Sequence, residues 1–344
     1  MSDRARNDAA TSTLERSVTS YPARRNYRPG VVYPPHVPGV VGAIDVHCHG
    51  HEGQQDPLTL AQLASENSMG GLLFKTIGPI SGEYRPARVL RALQEQLARW
   101  SDQAKIAPTG TWAGYSVTAD NRAPSIERLK AQLCEGIVAV WMPIFNHANS
   151  YYRVGAREIW LDPKADPNGH TPPMAWEEAL KHGHYMLDEA GKLKPVYEDI
   201  VRVVADHGAS LFFGHATHPE IWALAELVDK LGYRRAVIDH PFSPFIDLSV
   251  EQMKQLASAG IYLNFTYDEL SPLLGVDPKK MYEAIRAVGV HHVMLSSDAG
   301  EPLFPNSVEC MRLIRGYMEA FGLSALELAT VCNDNPAKIV GIAA

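Results

Sequence analysis

The sequence predicts an α/β chain folded as a (β/α)8 TIM barrel, with an N-terminal arm and a long insertion after the fourth strand. Three observations carry that expectation. Eight short, near-continuous apolar runs recur along the chain, each followed by an amphipathic stretch. Runs that are apolar throughout suit a parallel sheet covered on both faces, and eight of them in roughly 250 to 300 residues suit a closed barrel. Polar residues gather at the C-terminal ends of the runs, where such barrels keep their chemistry.

The elements follow in order. Residues 1–40 are polar and then rich in Pro, Tyr and Arg ("SYPARRNYRPGVVYPPHVPG"), and read as an extended arm. Residues 41–344 form the barrel. Its strands are expected at 43–49, 71–76, 109–116, 136–144, 210–216, 235–242, 260–267 and 292–300. The intervening helices carry their own stop signals. "VYEDIVRVVADHG", "PEIWALAELVDKLG" and "SVEQMKQLASAG" each end in the glycine expected just past a helix. One connection breaks the rhythm. About 50 residues (145–195) separate the fourth strand from its helix, against ~2 to 6 in an ordinary loop of this kind. Placed at the catalytic face, this insertion is either a lid or an excursion for subunit contact.

Composition narrows the classes. Apolar residues make up 46% of the 344, enough for a large core. The formal charge of −7, with no long basic run, argues against a nucleic-acid surface. No run approaches the ~20 apolar residues of a membrane span. The opening "MSDRARNDAATSTLERS" lacks the apolar segment of a secretory signal. Cys48, Cys134, Cys310 and Cys332 are scattered, with no C-x-x-C pair, as expected of reduced thiols in a cytoplasmic protein. The arm suggests a homo-oligomer.

The strand ends carry the function. In "AIDVHCHG" (43–50), strict alternation puts Asp45, His47 and His49 on one face and Ile44, Val46 and Cys48 on the other. Two imidazoles at a strand end suit a metal, a substrate or core packing. Lys75 and Thr76 end the second strand, His215 the fifth, His240 the sixth and Asp298 the eighth, while Asn264 and Tyr267 lie on the seventh. His182 and His184 form a second His-x-His within the insertion, His218 reads as a helix cap, and Cys48 as packing.

"DVHCHG", "GHAT", "DHPF" and "SSDAG", in that order, with a closing "NPAKIVGI" (335–342), resemble the amidohydrolase superfamily over residues 43 to 342. The resemblance implies a metal-dependent hydrolase. His47, His49, His215 and Asp298 would hold one divalent ion, Zn first and Mn or Fe next. The ion would acidify a water and polarise an amide, lactone or ester carbonyl. Asp298 would take the water's proton, and His240 would orient the water or stabilise the developing oxyanion. The fourth strand ends in "VWMPI", without the bridging lysine or glutamate of two-metal members, which favours one metal. Lys75, Tyr267, Trp141 and Glu301 are the substrate-binding candidates, Lys75 as a point charge for an anionic group. A metal-dependent decarboxylase of the same superfamily is the second reading, and a non-catalytic barrel that binds a small molecule is the third.

Overall fold

The computed structural model describes residues 39–50, 55–78, 84–118, 123–161, 164, 169–300 and 303–342. Eight parallel strands form one sheet: β1 (Ile44–Gly50), β2 (Gly71–Ile77), β3 (Gly110–Ser116), β4 (Ala139–Trp141), β5 (Ser210–Phe212), β6 (Ala236–Asp239), β7 (Tyr262–Thr266) and β8 (Val293–Ser296). Each pairs with the next in chain order. The ring closes between the first and last strands. Cys48 bridges to Ala299, the His49 amide donates to the Ala299 carbonyl at 2.9 Å, and the Asp298 amide donates to the His47 carbonyl at 2.8 Å.

All eight expected strands are present, several shorter than their apolar runs. The run at 136–144 yields only Ala139–Trp141, because the ladder ends where Pro143 has no N–H to contribute. Eight helices cover the sheet: α1 (Pro57–Glu66), α2 (Pro86–Ala104), α3 (Ile126–Cys134), α4 (Pro195–Asp206), α5 (His218–Lys230), α6 (Val250–Ser258), α7 (Pro278–Val288) and α8 (Ser307–Phe321). Local signals set where they start. Asp56, Ser125 and Asp277 accept first-turn N–H groups, and Thr217 with Glu220 forms a full capping box. Their buried faces follow helical spacing, as Leu90, Leu93 and Leu97 do on α2.

The core has two layers. One lies between the strands and helices. The other fills the barrel with Ile44, Val46, Leu73, Trp141, Phe212, Val237 and Met294. The C-terminal helix Asn335–Val340 closes the lower end by adding Ile339 and Val340 to that inner cluster. Ser210 donates to the Ile339 carbonyl at 2.6 Å, and the Asn335 amide donates to the carbonyls of Val290 (2.8 Å) and Val293 (2.9 Å).

The first strand departs from simple alternation. Its register against β2 is irregular between Asp45 and Cys48, and again between Cys48 and His49. Ile44 and Val46 belong to the inner cluster, but Cys48 belongs to the outer one. An extra residue in one strand shifts side-chain parity, so Ile44, Val46 and Cys48 do not share a face. Asp45 likewise has its own role: its Oδ1 accepts the amides of His47 and Ser297, each at 3.1 Å.

The insertion is tied down at its base. The Ala148 amide donates to the His184 carbonyl (2.8 Å), and the His184 amide donates to the Asn146 carbonyl (2.9 Å). Between these points lie the helices Ala148–Arg153 and Trp176–His182 and a small antiparallel pairing of Ala156–Arg157 with His170–Thr171. The expected arm, 1–40, falls almost wholly outside the described residues. Among those described, no helix is long and apolar enough to cross a membrane.

Candidate functional site

The site forms where the C-terminal strand ends converge. Asp298 Oδ1 lies 3.0 Å from His47 Nε2 and 3.1 Å from His49 Nε2. One ligand atom from each of His47, His49 and Asp298 falls within 4.8 Å of the others. Donors around a four-coordinate ion stand about 3 to 3.5 Å apart, so the trio has the spacing of a metal pocket. Both ring nitrogens of His47 lie 3.0 Å from carboxylate oxygens, yet off the line a good hydrogen bond needs. A cation between the Nε2 atoms and Asp298 would satisfy all three groups.

Each imidazole is held from behind. His47 Nδ1 faces Asp239 Oδ1 at 3.0 Å, and His49 Nδ1 meets Thr76 Oγ1 at 2.6 Å. Asp239 also accepts the Trp141 indole N–H on Oδ2 and the Asn264 amide on Oδ1, each at 2.8 Å. Two glycines make room for this unit. A Cβ on Gly114 would overlap the Trp141 ring, and one on Gly214 would come within 2.7 Å of the Asp239 Cβ. A carboxylate behind a metal-facing histidine fixes the ring and raises its basicity.

Charge follows the geometry. Burial pulls the His47 pKa down, but Asp239 and Asp298 outweigh it and raise it to about 9 without metal. Burial opposes ionisation of Asp239, but the contact with His47, with His240 and Lys75 nearby, holds it at about 2. Burial lowers His49 to about 3 and His240 to about 4. His215 falls well below the ordinary histidine range, through burial first and then Lys75 and His240. His49, His215 and His240 are therefore neutral near pH 7, the form that binds a metal.

His240 Nε2 stands 4.0 Å from Asp298 Oδ2, and its Nδ1 meets Ser243 Oγ at 2.9 Å. His240 and Asp298 both have left-handed backbones, at φ 36° and 49°. Few residues other than glycine adopt this conformation, and Asp and His are among those that do so most readily. The turns aim both side chains into the site.

The other expected residues are placed unequally. His215 lies outside the convergent trio, its ring 5.0 Å from that of His240 and 4.2 Å from Phe245. Lys75 is 1% exposed, with no ion-pair partner among the described residues and its Nζ 5.9 Å from the Phe145 ring centre. It acts electrostatically on His47, His49, His215, His240 and Asp298. Tyr267 is half-buried, its ring 6.4 Å from Phe304. Trp141 has a different place from a substrate contact. It is fully buried, stacked on Phe212, with its N–H committed to Asp239. Glu301 lies outside the described residues.

Among the other histidines, His182 pairs with Glu178 on an exposed helix, and His218 bonds the Ile246 carbonyl. The residue that sequence reasoning passed over is Asp239. It directly precedes His240, and strand alternation would turn neighbours to opposite faces. Because the chain takes a left-handed turn at His240, both reach the same site.

Comparisons with known proteins agree on the fold. A crystal structure titled an amidohydrolase from Pseudomonas aeruginosa superposes with a TM-score of 0.54 at 11% identity, covering 87% of this chain and 95% of that one. A probable dipeptidase, PvdM, also from Pseudomonas aeruginosa, gives 0.53 at 13% identity, covering 88% and 95%. At such identities the likeness is one of fold, and it bears out the barrel implied by the resemblance to the amidohydrolase superfamily. Residues 124–264 match the model of a family of unknown function, DUF6282. No curated protein matches the sequence.

Proposed function

We propose that this protein is a metal-dependent hydrolase of the amidohydrolase superfamily, acting on an amide, lactone or ester carbonyl of a small anionic substrate. The observation that carries the reading is the approach of His47 Nε2 and His49 Nε2 to one oxygen of Asp298 at the barrel mouth. His47, His49 and Asp298, with His215 as a fourth group, would hold one divalent ion, and the nitrogen-rich donor set suits Zn before Mn or Fe. A bound ion of this kind supplies Lewis acidity and acidifies a water.

The chain's own residues supply the rest. Asp298 Oδ2, on the side facing His240, accepts the water's proton and returns it to the leaving group. His240, neutral and braced by Ser243, orients the water and meets the oxygen on which negative charge grows. Lys75 takes the substrate's anionic group. Tyr267 and Glu301 would line the approach. The protein would work as a cytoplasmic homo-oligomer, a state that sedimentation of the purified chain would test.

A buried cation beside a metal pocket serves carboxylate release as well, and this supports a decarboxylase as the second reading. Metal analysis of the purified protein, then product analysis on a panel of carboxylated lactones, amides and esters, tests both. One ion per chain and a ring-opened or cleaved acid are expected. Release of CO2 would replace hydrolysis with decarboxylation. A metal-free protein whose melting temperature ignores chelators would overturn both.

A further inference from the structure

His215 is the one predicted ligand whose support comes from outside the regular barrel. The support comes from the base of the insertion, in the helix Ala148–Arg153. Ser150 Oγ donates its hydrogen to the Ile144 carbonyl at 2.9 Å and stands 3.4 Å from His215 Nδ1. Its one proton is committed, so it can only accept from the ring. A neutral His215 in this setting carries its hydrogen on Nδ1 and leaves Nε2 as a bare lone pair. The neighbouring Asn149 grips the backbone on both sides of the ring. Its side-chain amide donates to the His215 carbonyl at 3.0 Å and to the Phe245 carbonyl at 2.6 Å. Phe245 in turn packs on the His215 ring at 4.2 Å. Both residues are buried, Ser150 at 0% and Asn149 at 3% exposure.

The insertion is itself fastened to the same loop. Glu220, at the start of α5, accepts the Met186 amide at 2.7 Å and lies 3.0 Å from His147 Nε2, with both side chains fully buried. The 146–150 turn is thus held against the loop that carries His215.

We propose that Ser150 and Asn149 are positioning residues for His215: the insertion fixes the tautomer and the seat of a barrel ligand. The inference rests on the metal reading given above. It makes the base of the insertion part of the metal site, whatever its outer portion does as a lid.

The first test needs no metal, and a variant only for assignment. Nitrogen-15 spectra of the metal-free protein, with His215 assigned by its loss in His215→Gln, should show hydrogen on Nδ1. A ring protonated on Nε2 would overturn the proposal. The second test uses Ser150→Ala and Asn149→Ala with zinc in a chelator competition, and with cobalt as a spectroscopic probe. Loss of a group that braces a metal ligand from behind typically weakens metal affinity about 10- to 100-fold. The expected result is at least a tenfold loss with an altered cobalt spectrum, and recovery of both in Ser150→Thr. Wild-type affinity and spectrum in folded Ser150→Ala and Asn149→Ala would overturn the proposal while leaving the metal reading intact. A wild-type chain that binds neither zinc nor cobalt would overturn both.

Discussion

The two ends of the barrel are built on opposite principles. The lower end is closed by apolar surface, with Ile339 and Val340 of the last helix seated against the inner cluster. The upper end buries His47, Lys75, His215, Asp239 and His240, each at 2% exposure or less. Apolar burial is non-directional and tolerates a lost contact in proportion to the area lost. Buried polar groups are all-or-none, because removing one partner leaves the others desolvated and unpaired. The lower end should therefore answer to mutation through stability alone, and the upper end through chemistry.

The sharpest break in that comparison is Asp298→Ala, which removes the oxygen shared by His47 and His49. Stoichiometric metal and turnover should both disappear, as read by elemental analysis and assay. Full metal occupancy would misplace the site. Next is His240→Ala, where metal should stay and rate should fall by about 10² to 10⁴, the usual share of a positioned acid–base group. Concurrent loss of metal would make His240 a ligand.

Asp239→Ala crosses the boundary between the two principles. It strands the partners His47, Trp141 and Asn264, and breaking such a buried pair costs about 3 to 5 kcal/mol. Metal affinity should fall about 10- to 100-fold as well. Urea unfolding and zinc titration on one preparation would read both. Smallest in functional terms is Ile339→Ala at the lower end. It should lose about 2 to 5 kcal/mol to the cavity it leaves, with metal content and kcat/KM unchanged. A matching loss of activity would mean that the ends are coupled.

Much of this architecture is legible in the sequence because burial leaves a periodic trace. Eight apolar runs gave eight strands, and the glycine stops ended their helices. The candidate site could be read because His47, His49, His215, His240 and Asp298 sit at run ends in barrel order. What could not be read depends on local breaks in period. The irregular register of β1 separates Cys48 from Ile44 and Val46, and nothing in "IDVHCH" marks it. The left-handed turn at His240 brings Asp239 into the site, though sequence parity sends it away. Trp141 reads as a substrate contact because nothing in the sequence marks its partners, Asp239 and Phe212, which lie on later strands. The role of Asn149 and Ser150 is invisible without coordinates, since it joins the insertion to a loop more than 60 positions away.

The left-handed turn at His240 offers a route to the substrate. Asn, Asp and His are the residues other than glycine that adopt such a backbone most readily, so Asn can replace His at position 240 without disturbing the turn. His240→Asn would keep the turn while leaving His47, His49, Asp298 and Lys75 in place. Such a chain is a trap: sound in its fold, able to load its ion and hold its anion, but slow to release it as product. Passed through a cell extract, it would carry out with it the molecule that the wild-type chain consumes too quickly to reveal.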